Sequence, residues 1–325
     1  ILMSGAARIL ITGGTGFFGK SLLAARKREA VSEGELVILS RDPEGFLCRF
    51  PAFAGLPGVS FAAGDVRDFP FPDGEFSAVL HAATPASARL EAENPAEMRS
   101  IIVDGTKRVL DFCRSRKVPR LLLTSSGAVY GPQEPECERM AETHPCRPVT
   151  AYGQGKLEAE RLCLDSGVET VIARCFAFVG PYLPLGIHFA AGNFLRDALE
   201  NRPIAIRGDG RPLRSYLYAD DLVRWLRRLL EAGEPGRIYN VGSENAVSIA
   251  ELAERCAALR TPPSAVTVLG HPDGLPAPRY LPDTARARRE LGLAETVNLD
   301  EALRLTFEFH RNNGYCMKNQ QGEKS

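Results

Sequence analysis

Short apolar runs alternate with longer stretches of helical period through the first half of the chain. Arg8–Thr12, Leu36–Ser40, Val59–Ala63, Ala78–Ala82, Arg120–Ser125 and Thr170–Ala173 are continuous apolar or β-branched runs without strict alternation. Strands buried on both faces read this way, because neither face is left to water. Between them, helices are predicted at Gly16–Ala30, Pro95–Arg116 and Ala151–Asp165; the second repeats Met98, Ile101, Ile102, Val109, Leu110 and Cys113 on one face. This alternation predicts an α/β fold, a doubly wound parallel sheet with helices on both sides. Beyond Phe176 the pattern breaks into loops such as Gly180-Pro181, Leu183-Pro184 and Gly208-Asp209-Gly210, around short helices predicted at Asn193–Asn201, Ala219–Glu231 and Ser248–Leu259. The expected organisation is a sheet domain over residues 1–175, a smaller C-terminal lobe over 176–312 whose chain can cross back to the sheet, and a polar, frayed tail at 313–325.

The chain has 325 residues, enough for one large core with a satellite lobe. Forty basic residues balance forty acidic ones, so there is no net field to hold nucleic acid or an anionic membrane, and neither is an expected partner. The eight cysteines are scattered without a C-x-x-C or paired-histidine spacing, so no metal site is expected and reduced thiols are the simplest reading. Cys137 and Cys146 share a polar loop and read as two unpaired thiols. No apolar run approaches the roughly 20 residues of a membrane span. Ile1–Ala7 lacks the charged and apolar regions of a leader. A soluble, cytoplasmic protein is the expectation.

Gly13, Gly16 and Gly19 follow the first strand and open the first helix, spaced G-x-x-G-x-x-G. Gly13 permits a tight turn, Gly16 lets backbone N–H groups approach a pyrophosphate, and Gly19 allows close helix packing. Thr15, Phe17 and Phe18 complete this candidate cofactor loop. An ordinary strand-to-helix turn is the competing reading of the glycines. The second strand ends in Ser40-Arg41-Asp42, without a carboxylate at position 40 to bind an adenosine 2′-hydroxyl. Arg41 can pair with a 2′-phosphate and Ser40 can donate to it, which predicts NADP over NAD. In the other reading Asp42 reaches the ribose and Arg41 is a solvated charge, which leaves NAD as the cofactor. Asp65-Val66 follows the third strand, where Asp65 can accept from an adenine amino group or cap a helix.

Tyr152 and Lys156 stand at i and i+4, on one face of a helix. A lysine ammonium one turn away, helped by the positive nicotinamide of a bound cofactor, favours the phenolate, which brings an ordinary phenol toward the working range of a proton shuttle. Thr124-Ser125-Ser126 lies at the carboxyl end of a strand, where ligands gather in open α/β sheets. Ser126 can therefore bond the same substrate oxygen as Tyr152.

Glycine loop, Gly64-Asp65-Val66-Arg67 turn, serine-rich strand end, Tyr-Lys pair, Arg174 with Gly180-Pro181, Arg214-Ser215-Tyr216 with Asp220-Asp221, and Tyr239-Asn240-Val241-Gly242 occur in order. To about residue 310 the chain resembles the extended short-chain dehydrogenases of the NAD-dependent epimerase/dehydratase family, which modify nucleotide-linked sugars on a Rossmann-type sheet. The resemblance implies a catalytic triad of Ser126, Tyr152 and Lys156, with Lys156 also holding the nicotinamide ribose. It implies a cofactor wall of His81, Ala82, Ala83 and Thr124, and a substrate site including Ser126, Gly127, Asn193 and Arg214. Arg214 can instead pair with Asp220 or Asp221, and His188 either faces the sugar or serves its loop. A homodimer through a four-helix bundle, built from Pro95–Arg116 and Ala151–Asp165, is also implied.

The resemblance also narrows the reaction. Related 4,6-dehydratases carry Asp-Glu after the catalytic hydroxyl, related decarboxylases a Glu at the second of these positions, and the enzymes that make fucose nucleotides a Cys there. Gly127 and Ala128 supply none of these groups. Reduction of a 4-keto sugar, or 4-epimerisation through a transient ketone, needs only the triad. The missing carboxylate at position 40 favours the reductase, since a reductase must exchange its cofactor at every turnover. Ile102 and Ala177 stand where relatives carry Asn, so a lost contact is expected to be rebuilt, with Asp104 as a candidate. A non-catalytic dinucleotide-binding regulator is the reading from another class, opposed by the intact triad.

Overall fold

The computed structural model describes residues 7–29, 34–84, 88–186 and 189–313; His188 and the tail beyond residue 313 lie outside them. Seven strands form one parallel sheet in the order Ile238–Val241, β6 (Glu169–Cys175), β5 (Arg120–Ser126), β4 (Ala78–His81), β1 (Arg8–Thr12), β2 (Glu35–Ser40) and β3 (Val59–Ala63). Side chains alternate between two buried faces. Ile9, Ile11, Leu36, Ile38, Leu80 and Leu122 join the core on one side, while Leu10, Val37, Leu39, Val79, Leu121 and Leu123 join the core on the other. That double burial is why the runs show no polar alternation.

Helix α1 (Phe17–Arg28) packs with Ala219–Ala232 on the first face. On the second face α4 (Pro95–Ser115) packs with α5 (Ala151–Leu164). Two short helices, α2 (Pro43–Arg49) and α3 (Ala88–Glu93), follow β2 and β4. The predicted Thr170–Ala173 strand extends at both ends, because Thr124–Ser126 of β5 and the Ile238–Val241 strand continue the ladder beside it.

The lobe has its own core around Leu195, Ile204, Leu252, Ala253 and Leu303. In it a three-stranded sheet pairs Leu213–Arg214 with Val247–Ser248 and with Arg279–Tyr280, and its register sets Tyr280 beside Arg214. Among the described residues no helix is long and apolar enough to cross a membrane, and no cluster of candidate ligands could hold a metal ion. The described cysteines, Cys137 and Cys146 included, are free thiols.

Candidate active site

Strand order reverses between β1 and β4, and the loops leaving their carboxyl ends meet there. Gly13 has φ +70°, and a Cβ on it would collide with the Ala82 carbonyl; one on Gly19 would strike the backbone of Gly14. The turn, the β4 exit and the first turn of α1 therefore pack backbone to backbone. Helix α1 begins at Gly16 with neither a side-chain cap nor an acidic residue in its first turn. By contrast, Asp42, Asn94, Thr150, Ser248 and Asn298 each cap a helix with a side-chain oxygen. A helix start of this kind fits a pyrophosphate, whose oxygens would take the place of the missing cap. Thr15 and Phe17 flank the loop, and Phe18 meets Phe178 edge-on at 5.2 Å.

A buried chain of side chains holds the adjoining wall. Thr12 Oγ1 lies 2.7 Å from His81 Nδ1, and His81 Nε2 lies 3.1 Å from Thr106 Oγ1. Thr106 gives its own proton to the Ile102 carbonyl at 2.7 Å, so it accepts from Nε2–H and fixes the tautomer. Thr12 Oγ1 also accepts from the N–H groups of Ala82 and Ala83, each at 3.2 Å. Burial, then the nearby charge of Lys156, pushes His81 down to about 3, so the ring stays neutral.

At the far end Ser40 is buried and accepts from the Asp42 N–H at 3.2 Å, keeping its own proton available. Asp42 is held as the cap of α2, accepting from the Gly45 N–H at 2.9 Å, and Arg41 is exposed. Burial alone would raise the Asp65 carboxyl, but hydrogen bonds from Arg67 outweigh it and hold the group below its ordinary value. Both Arg67 N (3.0 Å) and Nε (2.9 Å) donate to Asp65 Oδ1, and Arg67 reaches on to Glu97 at 2.8 Å. Asp65, expected to face an adenine amino group, is thus chiefly an ion-pair partner of Arg67. Val66 is buried against Gly105 of α4.

The structure brings Ser126, Tyr152 and Lys156 together. Ser126 ends β5, Thr150 caps α5 by accepting from the Gly153 N–H at 3.1 Å, and the next turn carries Tyr152 and Lys156. Lys156 Nζ donates to Thr84 Oγ1 at 2.6 Å and to the Thr124 carbonyl at 2.7 Å, and lies 5.9 Å from the Tyr152 ring centre. Burial pushes Lys156 down to about 8, against opposing negative neighbours that include Glu160. Burial likewise pushes Tyr152 up to about 12, with Glu91 adding to the rise and the Ser126 hydroxyl opposing it. Among the protein's own groups Tyr152 stands above its ordinary value, with the desolvated Lys156 ammonium bonded to Thr84 and Thr124; the positive nicotinamide, the other expected contribution to the phenolate, belongs to the bound cofactor.

Other expected groups are placed differently. Asn193 lies within the helix Ala190–Leu199 rather than before it, and is half-buried. Arg214 donates to the Leu213 carbonyl at 2.8 Å, while Asp220 pairs with Arg28 and Asp221 with Arg224. Asp104 cannot rebuild a lost contact in the site, because it faces outward and pairs with Ser100 and Lys107. Ile102 is buried, in contact range of Gly155 on α5, and Ala177 packs on the lobe core.

Two side chains at this centre carried no motif. Glu91 of α3 accepts from the Tyr152 N–H at 2.9 Å. Tyr280 arrives from the lobe sheet and packs on Phe176, the rings tilted by 36° with centres 4.7 Å apart. A Cβ on Gly127 would lie 2.6 Å from the Tyr280 hydroxyl and 2.8 Å from the Phe176 ring. Position 127 is small because these two rings occupy its space. The bare sequence Pro278-Arg279-Tyr280-Leu281-Pro282 offers no spacing that would have found Tyr280.

Comparison with known proteins agrees with this arrangement. Residues 9–242 match the model of the NAD dependent epimerase/dehydratase family. UDP-glucuronic acid decarboxylase 6 of Arabidopsis thaliana is 30% identical over 311 residues, 94% of this chain and 89% of that protein. A dTDP-glucose 4,6-dehydratase of Streptomyces niveus is 26% identical over 325 residues, 94% of this chain and 93% of that protein. The crystal structure of UDP-glucuronic acid 4-epimerase from Bacillus cereus, in complex with NAD, superposes with a TM-score of 0.80 at 22% identity, covering 94% of this chain and 99% of that one.

Proposed function

The chain belongs to the NAD dependent epimerase/dehydratase family, and from that premise we propose that it is a 4-ketoreductase acting on a nucleotide-linked deoxysugar. The observation that carries the reading is the assembly of Ser126, Tyr152 and Lys156 beside positions that offer no further acid or base. Gly127 has no side chain, its space is filled by Tyr280 and Phe176, and Ala128 is aliphatic. Dehydration and decarboxylation, the reactions named for the similar proteins, need a carboxylate at one or both of those positions. Hydride transfer at C4 needs only one proton in addition.

Bound nicotinamide would supply the hydride. Tyr152, which the protein holds protonated, gives its proton to the forming C4 oxygen, and Ser126 holds that oxygen by a hydrogen bond. Lys156 is proposed to bind the nicotinamide ribose and, with the positive nicotinamide, to favour the resulting phenolate. The uncapped start of α1, with Gly13, Gly16 and Gly19, holds the pyrophosphate, while Ala82 and Ala83 form the wall that Thr12 and His81 brace. Asn193 and Arg214 are proposed to meet the nucleotide diphosphate.

NAD-bound relatives support a nicotinamide dinucleotide. For the choice within that class we propose NADP, because Asp42 is spent on its helix cap while Ser40 keeps a free proton beside exposed Arg41. A 4-epimerase that retains NAD through turnover is the second reading, favoured by the epimerases among the similar structures. Mass spectrometry of dinucleotide released on denaturation, with titration of the emptied protein by NADPH and NADH, separates the two. A protein purified empty that prefers NADPH and reduces 4-keto sugar nucleotides bears out the reductase; stoichiometric retained NAD overturns it in favour of the epimerase. In either case Tyr152→Phe should lower turnover by roughly 10²-fold or more while leaving cofactor affinity nearly unchanged. Equal loss of cofactor binding would place the site elsewhere. We further propose a homodimer through α4 and α5.

A further inference from the structure

The chain leaving β4 ties the cofactor wall to the catalytic helix. Thr12 Oγ1 accepts from the N–H groups of Ala82 and Ala83, and the Gly13 turn packs on the Ala82 carbonyl, so the backbone leading to Thr84 is set by the glycine loop. The Thr84 hydroxyl gives its own proton to the Ala83 carbonyl at 2.8 Å. Toward Lys156 Nζ, 2.6 Å away, it can therefore only accept. The Thr124 carbonyl, at 2.7 Å, is the second acceptor, and the Thr124 hydroxyl ties it to β4 by donating to the His81 carbonyl at 3.2 Å. Among the described residues Lys156 Nζ is held by these two oxygens, one from each of two neighbouring strand ends.

An ammonium has three N–H groups to give. Bonded to Thr124 alone, it would turn about that one bond. A second acceptor stops the rotation and leaves a single N–H with a fixed direction. The same oxygens bear on the charge, since burial draws Lys156 down to about 8 and hydrogen bonds to the charged form oppose that fall. The groups facing Lys156 do not titrate with it. Burial holds Tyr152 of α5 and Cys175 of β6 at about 12, raises Cys163 of α5, and keeps His81 of β4 neutral at about 3. Glu160 of α5 is paired with Arg174 of β6. A midpoint near 8 at this centre therefore belongs to Lys156.

We propose that Thr84 is a positioning residue of the catalytic centre: its hydroxyl, acting only as an acceptor, holds the Lys156 ammonium charged and, with the Thr124 carbonyl, fixes the direction of its remaining N–H. No bond is made or broken at Thr84. On the reading above, in which Lys156 binds the nicotinamide ribose, the remaining N–H is the one offered to a ribose hydroxyl. Because the backbone before Thr84 is braced on Thr12 and the Gly13 turn, the pyrophosphate loop and the ribose-binding ammonium stand on one continuous support. The two ends of the dinucleotide's polar backbone are thus met at a fixed spacing.

The use of that N–H rests on Lys156 as the ribose-binding residue, and the test of Thr84 needs no sugar substrate. Full-length protein labelled at lysine Cε is freed of dinucleotide and titrated by NMR, with Lys156 assigned from the resonance missing in Lys156→Met. In Thr84→Val, nearly isosteric but without the acceptor, the Lys156 midpoint should move to lower pH by about tenfold in the proton equilibrium, the low end for a hydrogen bond to a charged group. Thr84→Ser keeps the hydroxyl and should hold the midpoint close to that of the native protein. Thr84→Ala removes the acceptor without adding bulk and covers the case in which Thr84→Val fails to fold. A midpoint unmoved by loss of the hydroxyl, or moved as far by Thr84→Ser, overturns the proposal. Titration of Lys156→Met with NADPH and NADH tests the underlying reading separately: undiminished affinity would refute the ribose role of Lys156 and leave the hold of Thr84 on the ammonium standing.

Discussion

His81 shows what a buried neutral ring costs as acid is added. Its folded value is about 3 against an ordinary 6.5, so between those limits the unfolded chain binds a proton that the folded one refuses. Stability is fully present above the ordinary value and falls as pH drops through the window, by about 2 kcal/mol at pH 5. His310, pushed down to about 4 by burial and by Lys20, adds to the same slope. Thermal unfolding at pH 7 and pH 5 should show His81→Gln losing less on acidification than the native protein; parallel losses would mean that His81 does not govern the acid limb. At this scale the sequence was informative where spacing is chemistry. Tyr152 and Lys156 share a helix face by their separation alone, and Ser126 follows from a strand's carboxyl end. Tyr280 and Glu91 could not be read in that way, because each reaches the site through tertiary packing of an element with no fixed offset from the motif.

Helix α5 is fixed at both ends by carboxylates from within the protein. Glu91 accepts from the backbone of its first turn, and Glu160, one turn beyond Lys156, is clamped from the sheet. Arg174 of β6 donates to Glu160 through Nε at 3.0 Å and Nη2 at 2.7 Å, and Ser125 of β5 donates to the same carboxylate. The pair is buried, with side chains 4% and 2% exposed, and Arg174 lies over the Tyr130 ring at 4.7 Å. Removing one partner strands the other charge in the interior, so Glu160→Gln and Arg174→Met should each cost about 3 kcal/mol or more. Glu160→Leu with Arg174→Met should cost less than either single change. Denaturant unfolding of the four proteins tests this, and simple additivity would count against the clamp. The strands that carry these residues were legible because double burial writes an unbroken apolar run. The seventh strand was not: Ile238–Val241 was visible only as part of a motif, and its place beside β6 depends on a chain that leaves the sheet at Phe176 and returns through the Ala219–Ala232 helix.

At the scale of the whole molecule, the exposed charges of α4 bear on the proposed homodimer. Asp104, Lys107, Asp111 and Arg114 are exposed and follow heptad spacing along α4, paired within the helix as Asp104–Lys107 and Asp111–Arg114. Reflection about Val109 carries Asp104 onto Arg114 and Lys107 onto Asp111. Two copies of α4 packed antiparallel about a two-fold axis at Val109 therefore set opposite charges against each other along the seam, as an isologous contact requires. Parallel packing would set like against like. Pairs of this kind are screened by salt, so light scattering should find a dimer at low ionic strength that weakens as salt is added. Asp111→Lys should disrupt it by facing Lys107 of the second copy with a like charge, and adding Lys107→Asp should restore it. A monomer at all salt concentrations, or a dimer indifferent to Asp111→Lys, would move the assembly surface away from α4 and α5, leaving the charged stripe as a solvated helix face.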